Sequence, residues 1–215
     1  MSTAALMVPG LWDSGPEHWH TRWERQDARF ERVVQRDWDA PEVREWVRTL
    51  DDAVHRAGHG VVLAAHSLGC ATVAHWASLP GRMVRGALLV APADVDGAGF
   101  PLEARGFFPM PLEPLPFPSI LVASADDSFL SMERARLFAE SWGSRLVEVG
   151  AKGHLNSSSG LGDWPEGRAL LDELLALPDP PALSAAPPAP PRGRPVRIPD
   201  ELTPRCALDP SSPCC

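Results

Sequence analysis

Residues 61–70 read VVLAAHSLGC, an apolar run that passes through a serine into a segment of helical pattern. The run Val61–Ala65 has the length of a strand, and Ser67 stands between two small residues, Ala65 and Gly69. Small neighbours allow a strand and a helix to meet in a sharp, strained turn that lifts a serine hydroxyl above a sheet. We therefore predict a strand, a turn and a helix that present Ser67 as a nucleophile. The same local sequence also fits a serine that only caps the helix.

The rest of the chain alternates between apolar runs of strand length and segments of helical pattern. The predicted strands are Ala4–Val8, Arg32–Gln35, Val61–Ala65, Ala87–Val90, Ile120–Ala123 and Arg145–Val149. The predicted helices are Pro16–Arg29, Pro41–Ala57, Leu68–Leu79, Met132–Trp142 and Glu166–Leu177. Strands without a regular alternation of apolar and polar residues, separated by helices, are typical of a parallel sheet covered on both faces. The predicted fold class is therefore α/β, a single compact domain with a mostly parallel central sheet flanked by helices.

Composition limits the classes of partner. The chain has 215 residues, enough for one domain, and a formal net charge of -8. A nucleic-acid-binding protein needs a basic face to displace the counterions of phosphates, and because none is visible we expect no nucleic-acid partner. No run of about 18 apolar residues indicates a membrane span, and the first residues do not fit a signal peptide. The four cysteines form no disulfide pattern, so we expect a cytoplasmic protein.

The chain divides into a patterned domain, residues 1–178, and a proline-rich tail, residues 179–215. Half of the 24 prolines lie at or beyond Pro178, and the tail lacks the apolar residues that would offset the entropy of ordering it. We therefore expect the tail to be disordered or extended. Three of the cysteines also lie in it, at Cys206, Cys214 and Cys215.

Titratable residues follow two of the later predicted strands. Asp126 and Asp127 come directly after the strand that ends near Ala123, and His154 follows a glycine-containing loop after the next strand. The carboxyl ends of parallel strands meet at one edge of the sheet, so these groups are expected near Ser67. We predict that His154 is the general base and that Asp127 orients it, with Asp126 as a turn or cap residue. The chain order of nucleophile, acid and base is that of α/β-hydrolases.

Backbone N–H groups are the predicted stabilisers of a developing oxyanion. Leu68 follows the nucleophile at the start of a helix and supplies one N–H. The loop after the first strand contains Gly10, which allows a close approach of the backbone, and Leu11 or Trp12 is expected to supply the second N–H.

The segment Ala93–Phe117 breaks the alternation, since its prolines and glycines exclude a long regular element. Its apolar side chains suggest either the lip of a substrate pocket or a loop packed on neighbouring helices. On the first alternative, the expected substrate contacts are Phe107, Phe108 and Met110.

The chain resembles the small hydrolases related to retinoblastoma-binding protein nine. The residues that carry the resemblance are Val8-Pro9-Gly10 with His18-Trp19, Ala65–Gly69, Ser124–Asp127 and Gly153–Asn156. The resemblance covers roughly Met1–Leu177 and implies a compact α/β-hydrolase core without a large cap domain. It also implies an esterase- or peptidase-like serine activity on small substrates. The sequence departs from the pattern at Ala65, where the usual residue is glycine, and at Ser128, where many relatives have proline.

The expected function is therefore that of a serine hydrolase that cleaves a small ester or activated amide through an acyl-enzyme. The expected partner is a small-molecule acyl substrate, and no cofactor is implied. His18 and His20 have the spacing of two metal ligands, but no third ligand follows suitably, so no metal site is expected. Two alternatives stay open, namely a catalytically silent binding protein with the same fold and an acyltransferase that uses the same three residues. The sequence leaves the oligomeric state open.

Overall fold

The computed structural model describes residues 2–180, in which six strands form one sheet. The strands are Ala5–Val8 (β1), Phe30–Arg32 (β2), Val62–His66 (β3), Gly86–Val90 (β4), Ser119–Ala123 (β5) and Arg145–Glu148 (β6). Their order across the sheet is β2-β1-β3-β4-β5-β6, and every neighbouring pair runs parallel. The carboxyl ends of all the strands therefore lie along one edge, where parallel sheets place their functional sites.

Helices cover both faces of the sheet. They are Trp19–Gln26 (α1), Val43–Ala57 (α2), Leu68–Ala77 (α3), Met132–Trp142 (α4) and Pro165–Leu175 (α5). Helices α2, α3 and α4 pack on one face, and α1 and α5 pack on the other. The predicted α/β class, with a mostly parallel sheet between helices, is confirmed. No helix within the described residues is long and apolar enough to cross a membrane.

The core consists of two apolar clusters, one on each face of the sheet. In β3, Leu63 and Ala65 contribute to the cluster beneath α2, α3 and α4, whereas Val62 and Ala64 contribute to the cluster beneath α1 and α5. Every residue of β3 is buried. A strand covered on both faces needs an apolar side chain at nearly every position, and this accounts for the uninterrupted run in the sequence.

The edge strand β2 differs from its prediction. The pattern predicts Arg32–Gln35, but the strand is Phe30–Arg32. The Val33 N–H still donates to the Met7 carbonyl at 2.9 Å, after which the chain leaves the sheet and Val34 is exposed. The prediction rested on the high strand propensity of Val33 and Val34. At a sheet edge, however, pairing with the neighbouring strand decides which residues form the strand.

Helix α1 is shorter than the predicted Pro16–Arg29 and begins at Trp19. The helix is capped by His18, whose ring nitrogen Nδ1 accepts the His20 N–H at 3.1 Å. The nearby Ser14 hydroxyl does not cap the helix but forms a hydrogen bond with the ring of His20 at 2.9 Å. The side chain that caps the helix is therefore an imidazole rather than a hydroxyl.

The predicted tail, residues 179–215, lies almost entirely outside the described residues, and the boundary at 178/179 stays a prediction. At the end of the described part, the Asp179 carboxylate accepts a hydrogen bond from the Arg85 guanidinium. The chain therefore still contacts the domain at the first residue assigned to the tail.

Gly69 is expected to tolerate no side chain. A Cβ atom at this position would lie 2.1 Å from the carbonyl oxygen of Val8 and 2.7 Å from that of Pro9. Because both atoms belong to the backbone at the end of β1, Gly69→Ala forces α3 away from the sheet. We expect the free energy of unfolding, measured by urea denaturation, to fall by about 1–3 kcal/mol or more.

The matched control is Gly15→Ala, since a Cβ atom at Gly15 meets nothing within 4 Å. Equal stabilities of the Gly69→Ala and Gly15→Ala variants would contradict the close contact between α3 and β1.

Candidate active site

Ser67 lies in the turn between β3 and α3. Its backbone has φ 55° and ψ -123°, a conformation that residues other than glycine rarely adopt. Such strain costs about 1–3 kcal/mol and persists only where the surroundings impose it. The loop after β1 closes on the turn, because a Cβ atom at Gly10 would lie 2.8 Å from Ser67 Cβ and 3.2 Å from Leu68 N. The turn therefore needs glycine at position 10 as well as at position 69.

The side chains of Ser67, His154 and Asp127 form a continuous set of hydrogen bonds. His154 Nε2 lies 2.8 Å from Ser67 Oγ. On the other side of the ring, His154 Nδ1 lies 2.9 Å from both carboxylate oxygens of Asp127. The Asp127 side chain has 0% of its surface exposed, and that of His154 has 10%. With its proton held on Nδ1 by the carboxylate, the ring has Nε2 free to accept the serine proton.

The neighbouring acid, Asp126, holds the loop that carries His154. It accepts the Gly153 N–H at 2.7 Å and the Ser124 hydroxyl at 2.8 Å. These hydrogen bonds, the one from Gly153 foremost, lower the pKa of Asp126. The two adjacent acids therefore have different contacts, since Asp126 binds the loop backbone and Asp127 binds the histidine ring.

Two buried side chains hold the same loop from the other side. His66 Nε2 donates to the carbonyl of His154 at 2.8 Å, and the Trp19 indole donates to the carbonyl of Leu155 at 2.9 Å. The sequence pattern places His66 next to the nucleophile and Trp19 on the buried face of a helix. It gives no signal for these two long-range contacts, because the partners lie more than a hundred residues away for Trp19 and 88 residues away for His66.

A cavity of about 620 Å³ opens over Ser67 and His154, which is room for a small organic molecule. Its apolar walls include Leu11, Trp12, Leu68, Ala93, Phe100, Pro101, Phe129 and Leu130. Two carboxylates also line it, Asp13 and Asp94, and these are paired with Arg32 and Arg134. No lysine or arginine is among the described residues of the lining.

Residues 5–173 match the family described as serine hydrolase. The chain belongs to the serine hydrolase family. A solved structure of a protein from Pectobacterium atrosepticum, described as a YdeN-like hydrolase, is 31% identical to it, with a TM-score of 0.71. That match covers 82% of this chain and 94% of the other. The predicted family is confirmed as that of small serine hydrolases, and the closer relation to retinoblastoma-binding protein nine stays a prediction.

More distant structures share the fold alone. The ydeN gene product of B. subtilis is 18% identical, with a TM-score of 0.63, over 80% of this chain and 98% of that one. A monoacylglycerol lipase of Paleococcus ferrophilus is 14% identical, with a TM-score of 0.61, over 81% of this chain and 96% of that one. Comparison with curated protein sequences gives no match.

The predicted oxyanion donors of this serine hydrolase belong to the start of α3 and to the loop after β1. Leu68 is the first residue of α3, so its N–H has no partner within the helix. Of the two candidates for the second donor, Trp12 donates its N–H to the carbonyl of Trp38 at 3.1 Å. Leu11 is therefore the better candidate, and it lines the cavity with Leu68.

Three residues are predicted to contact the substrate, and none of them lines the cavity of the serine hydrolase. They are Phe107, Phe108 and Met110. Phe107 is 0% exposed, and its ring meets that of Trp46 edge-on at 5.9 Å between centroids. Met110 is buried in the same cluster, and Phe108 is exposed beside a separate, shallower depression. The expectation that these three residues bind substrate is therefore corrected.

Both alternatives for the segment Ala93–Phe117 apply, each to a different part of it. Its beginning, from Ala93 to Pro101, borders the cavity. Its later part is tied to two helices, since His75 on α3 bonds the carbonyl of Phe107 at 2.8 Å and Trp142 on α4 donates to the carbonyl of Pro111 at 2.8 Å. The sequence could not separate the two parts, because apolar residues among prolines look alike whether they face a pocket or a core.

Two histidines and a cysteine buried near the turn are uncharged. Burial lowers the pKa of His20 and of His66 well below that of free imidazole, so both rings are neutral near pH 7. Burial also raises the pKa of the Cys70 thiol behind the turn, which leaves it unreactive. Among residues 2–180, no group of three or more histidine, cysteine, aspartate or glutamate side chains is arranged to hold a metal ion.

The two adjacent acids are expected to respond differently to amidation. Asp127→Asn removes the charge that fixes the His154 tautomer, and we expect kcat for an ester to fall about 10⁴-fold. Asp126→Asn keeps an oxygen that can accept the Gly153 N–H, so we expect a loss of less than about tenfold. Steady-state kinetics on both variants measure the difference. A larger loss in Asp126→Asn than in Asp127→Asn would refute the assignment of Asp127.

Proposed function

We propose that the protein hydrolyses a small, uncharged carboxylic ester or activated amide through an acyl-enzyme on Ser67. The observation that carries this proposal is the set of hydrogen bonds from Ser67 Oγ through the His154 ring to the Asp127 carboxylate, at 2.8 and 2.9 Å. A nucleophile within reach of a base, which a third group orients, is the geometric signature of nucleophilic catalysis. Membership of the serine hydrolase family supports the same reaction class.

In the first half of the reaction, His154 Nε2 removes the hydroxyl proton of Ser67 as Oγ attacks the carbonyl carbon. The carbonyl oxygen becomes an oxyanion, which accepts hydrogen bonds from the backbone N–H groups of Leu68 and Leu11. The buried carboxylate of Asp127 stabilises the imidazolium. The imidazolium then donates its proton to the leaving alcohol, the carbon–oxygen bond of the ester breaks, and the acyl group stays on Oγ.

In the second half, water takes the place of the alcohol. His154 removes a proton from the water, whose oxygen attacks the acyl carbon, and the same two N–H groups bind the second oxyanion. Collapse of this intermediate releases the carboxylic acid and returns the proton from His154 to Ser67. Acid, base and nucleophile are thereby restored.

The lining of the cavity supports an uncharged substrate. Its two carboxylates, Asp13 and Asp94, are paired with arginines, and no lysine or arginine of the described residues lines the wall. A carboxylate on the substrate would therefore lose its hydration without gaining a cationic partner, which is costly. The apolar walls, Phe100 and Phe129 among them, suit a short acyl or alkyl chain.

A binding protein without catalytic activity would have no need for the strained backbone of Ser67 or for a buried acid behind His154. Strain of this kind is stored where function requires it. Hydrolysis is therefore the better proposal. Acyl transfer would use the same first half-reaction and would differ only in the acceptor of the second.

Replacement of the nucleophile is expected to abolish turnover. Ser67→Ala removes the attacking oxygen, and we expect kcat for p-nitrophenyl butanoate to fall on the order of 10⁶-fold. Ser128→Ala is the matched control, because Ser128 lines the same cavity and lies outside the hydrogen-bonded set. It should retain turnover within about threefold of the wild type.

The products and the two variants test the proposal together. Butanoic acid as the sole acyl product supports hydrolysis, whereas butanoyl transfer to an added alcohol in preference to water would indicate a transferase. Equal turnover by the wild type and Ser67→Ala would contradict the proposal outright.

A further inference from the structure

His18 lies beside the cavity and has one ring nitrogen without a partner. The residue is 3% exposed and is among those that line the cavity with Ser67 and His154. Its Nε2 atom is buried and has no hydrogen-bond partner among the described residues. Buried polar atoms are nearly always paired, so an unpaired one in a residue that lines a cavity points to a partner supplied by a ligand.

The contacts of His18 fix which nitrogen carries the proton. Nδ1 accepts the N–H of His20 at 3.1 Å, and a ring nitrogen that accepts a hydrogen bond has no proton of its own. Burial, together with the nearby charge of Arg32 and with His154, lowers the pKa of His18 to about 3. The ring is therefore neutral and carries its single proton on Nε2, which makes this atom a hydrogen-bond donor.

The neighbouring buried histidines each use their ring N–H donor within the protein. His20 pairs with the Ser14 hydroxyl at 2.9 Å and with the Ala64 carbonyl at 3.0 Å. His66 donates from Nε2 to the carbonyl of His154 at 2.8 Å. His18 differs from both, because its only donor is unused.

Capping alone does not account for an imidazole at position 18. A serine or aspartate caps a helix at least as well, and neither places a buried N–H group at the cavity wall. The ring of His18 lies 4.8 Å from that of His66, which in turn lies 4.9 Å from that of His154. The ring of His18 therefore packs against His66, which in turn packs against the base that acts on Ser67.

We propose that the Nε2–H group of His18 is a specificity-determining donor, which binds an uncharged acceptor oxygen of the substrate close to the scissile carbonyl. The inference rests on the proposed ester hydrolysis and names its substrate class, which is esters with an ether, hydroxyl or keto oxygen in the acyl or alcohol part. A carboxylate is disfavoured as the acceptor, because Asp13 and Asp94 line the same cavity.

The test compares esters that differ by one oxygen. p-Nitrophenyl methoxyacetate and butanoate differ in the acyl part, and 2-methoxyethyl acetate and butyl acetate differ in the alcohol part, each pair having the same number of heavy atoms in the chain. The measured quantity is the ratio of kcat/KM for the oxygenated ester to that for its alkyl partner, in the wild type and in His18→Ser. Intrinsic reactivity cancels when the two enzymes are compared, and serine retains a capping oxygen.

We expect the ratio for at least one pair to fall about three- to tenfold in His18→Ser, the change expected from loss of one hydrogen bond to a neutral acceptor. His18→Gln, whose amide N–H reaches about as far as Nε2, should restore part of it. Unchanged ratios for both pairs, with Ser67-dependent turnover intact, would overturn the inference and leave the proposed function standing. Absence of Ser67-dependent turnover in the wild type would contradict the proposed function and the inference with it.

A second measurement needs no variant. The ¹⁵N chemical shifts of the histidine rings in the wild type report which nitrogen is protonated. We expect His18 to hold its proton on Nε2 throughout about pH 6 to 8, well above its folded pKa. A proton on Nδ1 would overturn the inference, because Nε2 would then be an acceptor.

Discussion

The tight contact between the turn at Ser67 and the end of β1 is the constraint on which the active site depends. Glycine at position 69 lets α3 approach the carbonyl of Val8, and glycine at position 10 lets the following loop approach Leu68 N. Together they hold Ser67 at a positive φ that its own side chain disfavours. Because the turn is fixed in this way, Ser67 Oγ meets His154 Nε2 without rearrangement of the backbone.

The parts of the fold that the sequence predicts well are those in which local pattern and burial agree. Helix α4 has the predicted bounds, Met132–Trp142, because it has a serine cap at one end and glycine at the other. The strands that precede Ser67 and Asp127, β3 and β5, are apolar runs buried along their whole length, which is what a doubly covered strand requires. The strand before His154, β6, is a half-exposed edge strand. The proximity of Ser67, Asp127 and His154 then follows from the parallel order of β3, β5 and β6.

The errors arise where the outcome depends on contacts distant in sequence. Phe30 belongs to β2, whereas Val34 lies beyond it and is exposed. The register with β1 decides this, and no local pattern encodes that register. Phe107 and Phe100 belong to the same irregular segment, yet one is enclosed by helices and the other faces the cavity. The role of Asp126 in holding the Gly153 N–H is likewise a long-range contact, although the choice of Asp127 as the histidine partner agrees with the geometry.

Burial of neutral imidazoles connects the fold with the chemistry. His66 and His18 lie in the core beneath the site as neutral rings, because burial lowers the pKa of each. His66 fixes the loop of His154 through the backbone carbonyl. His18 caps α1 through Nδ1, and its Nε2 is the atom that we propose binds the substrate. Helix α1 also holds the loop of His154, since Trp19 donates to the carbonyl of Leu155.

The central claim, that Ser67 is a nucleophile activated by His154, is tested most directly by its reaction with a fluorophosphonate. The folded protein is treated with the reagent at about pH 8, above the pKa of free imidazole, and the adduct is located by peptide mass spectrometry. The account predicts one phosphonyl group per chain, on Ser67, and no adduct in a folded His154→Ala variant. An adduct on another serine, or none on the folded wild type, would contradict it.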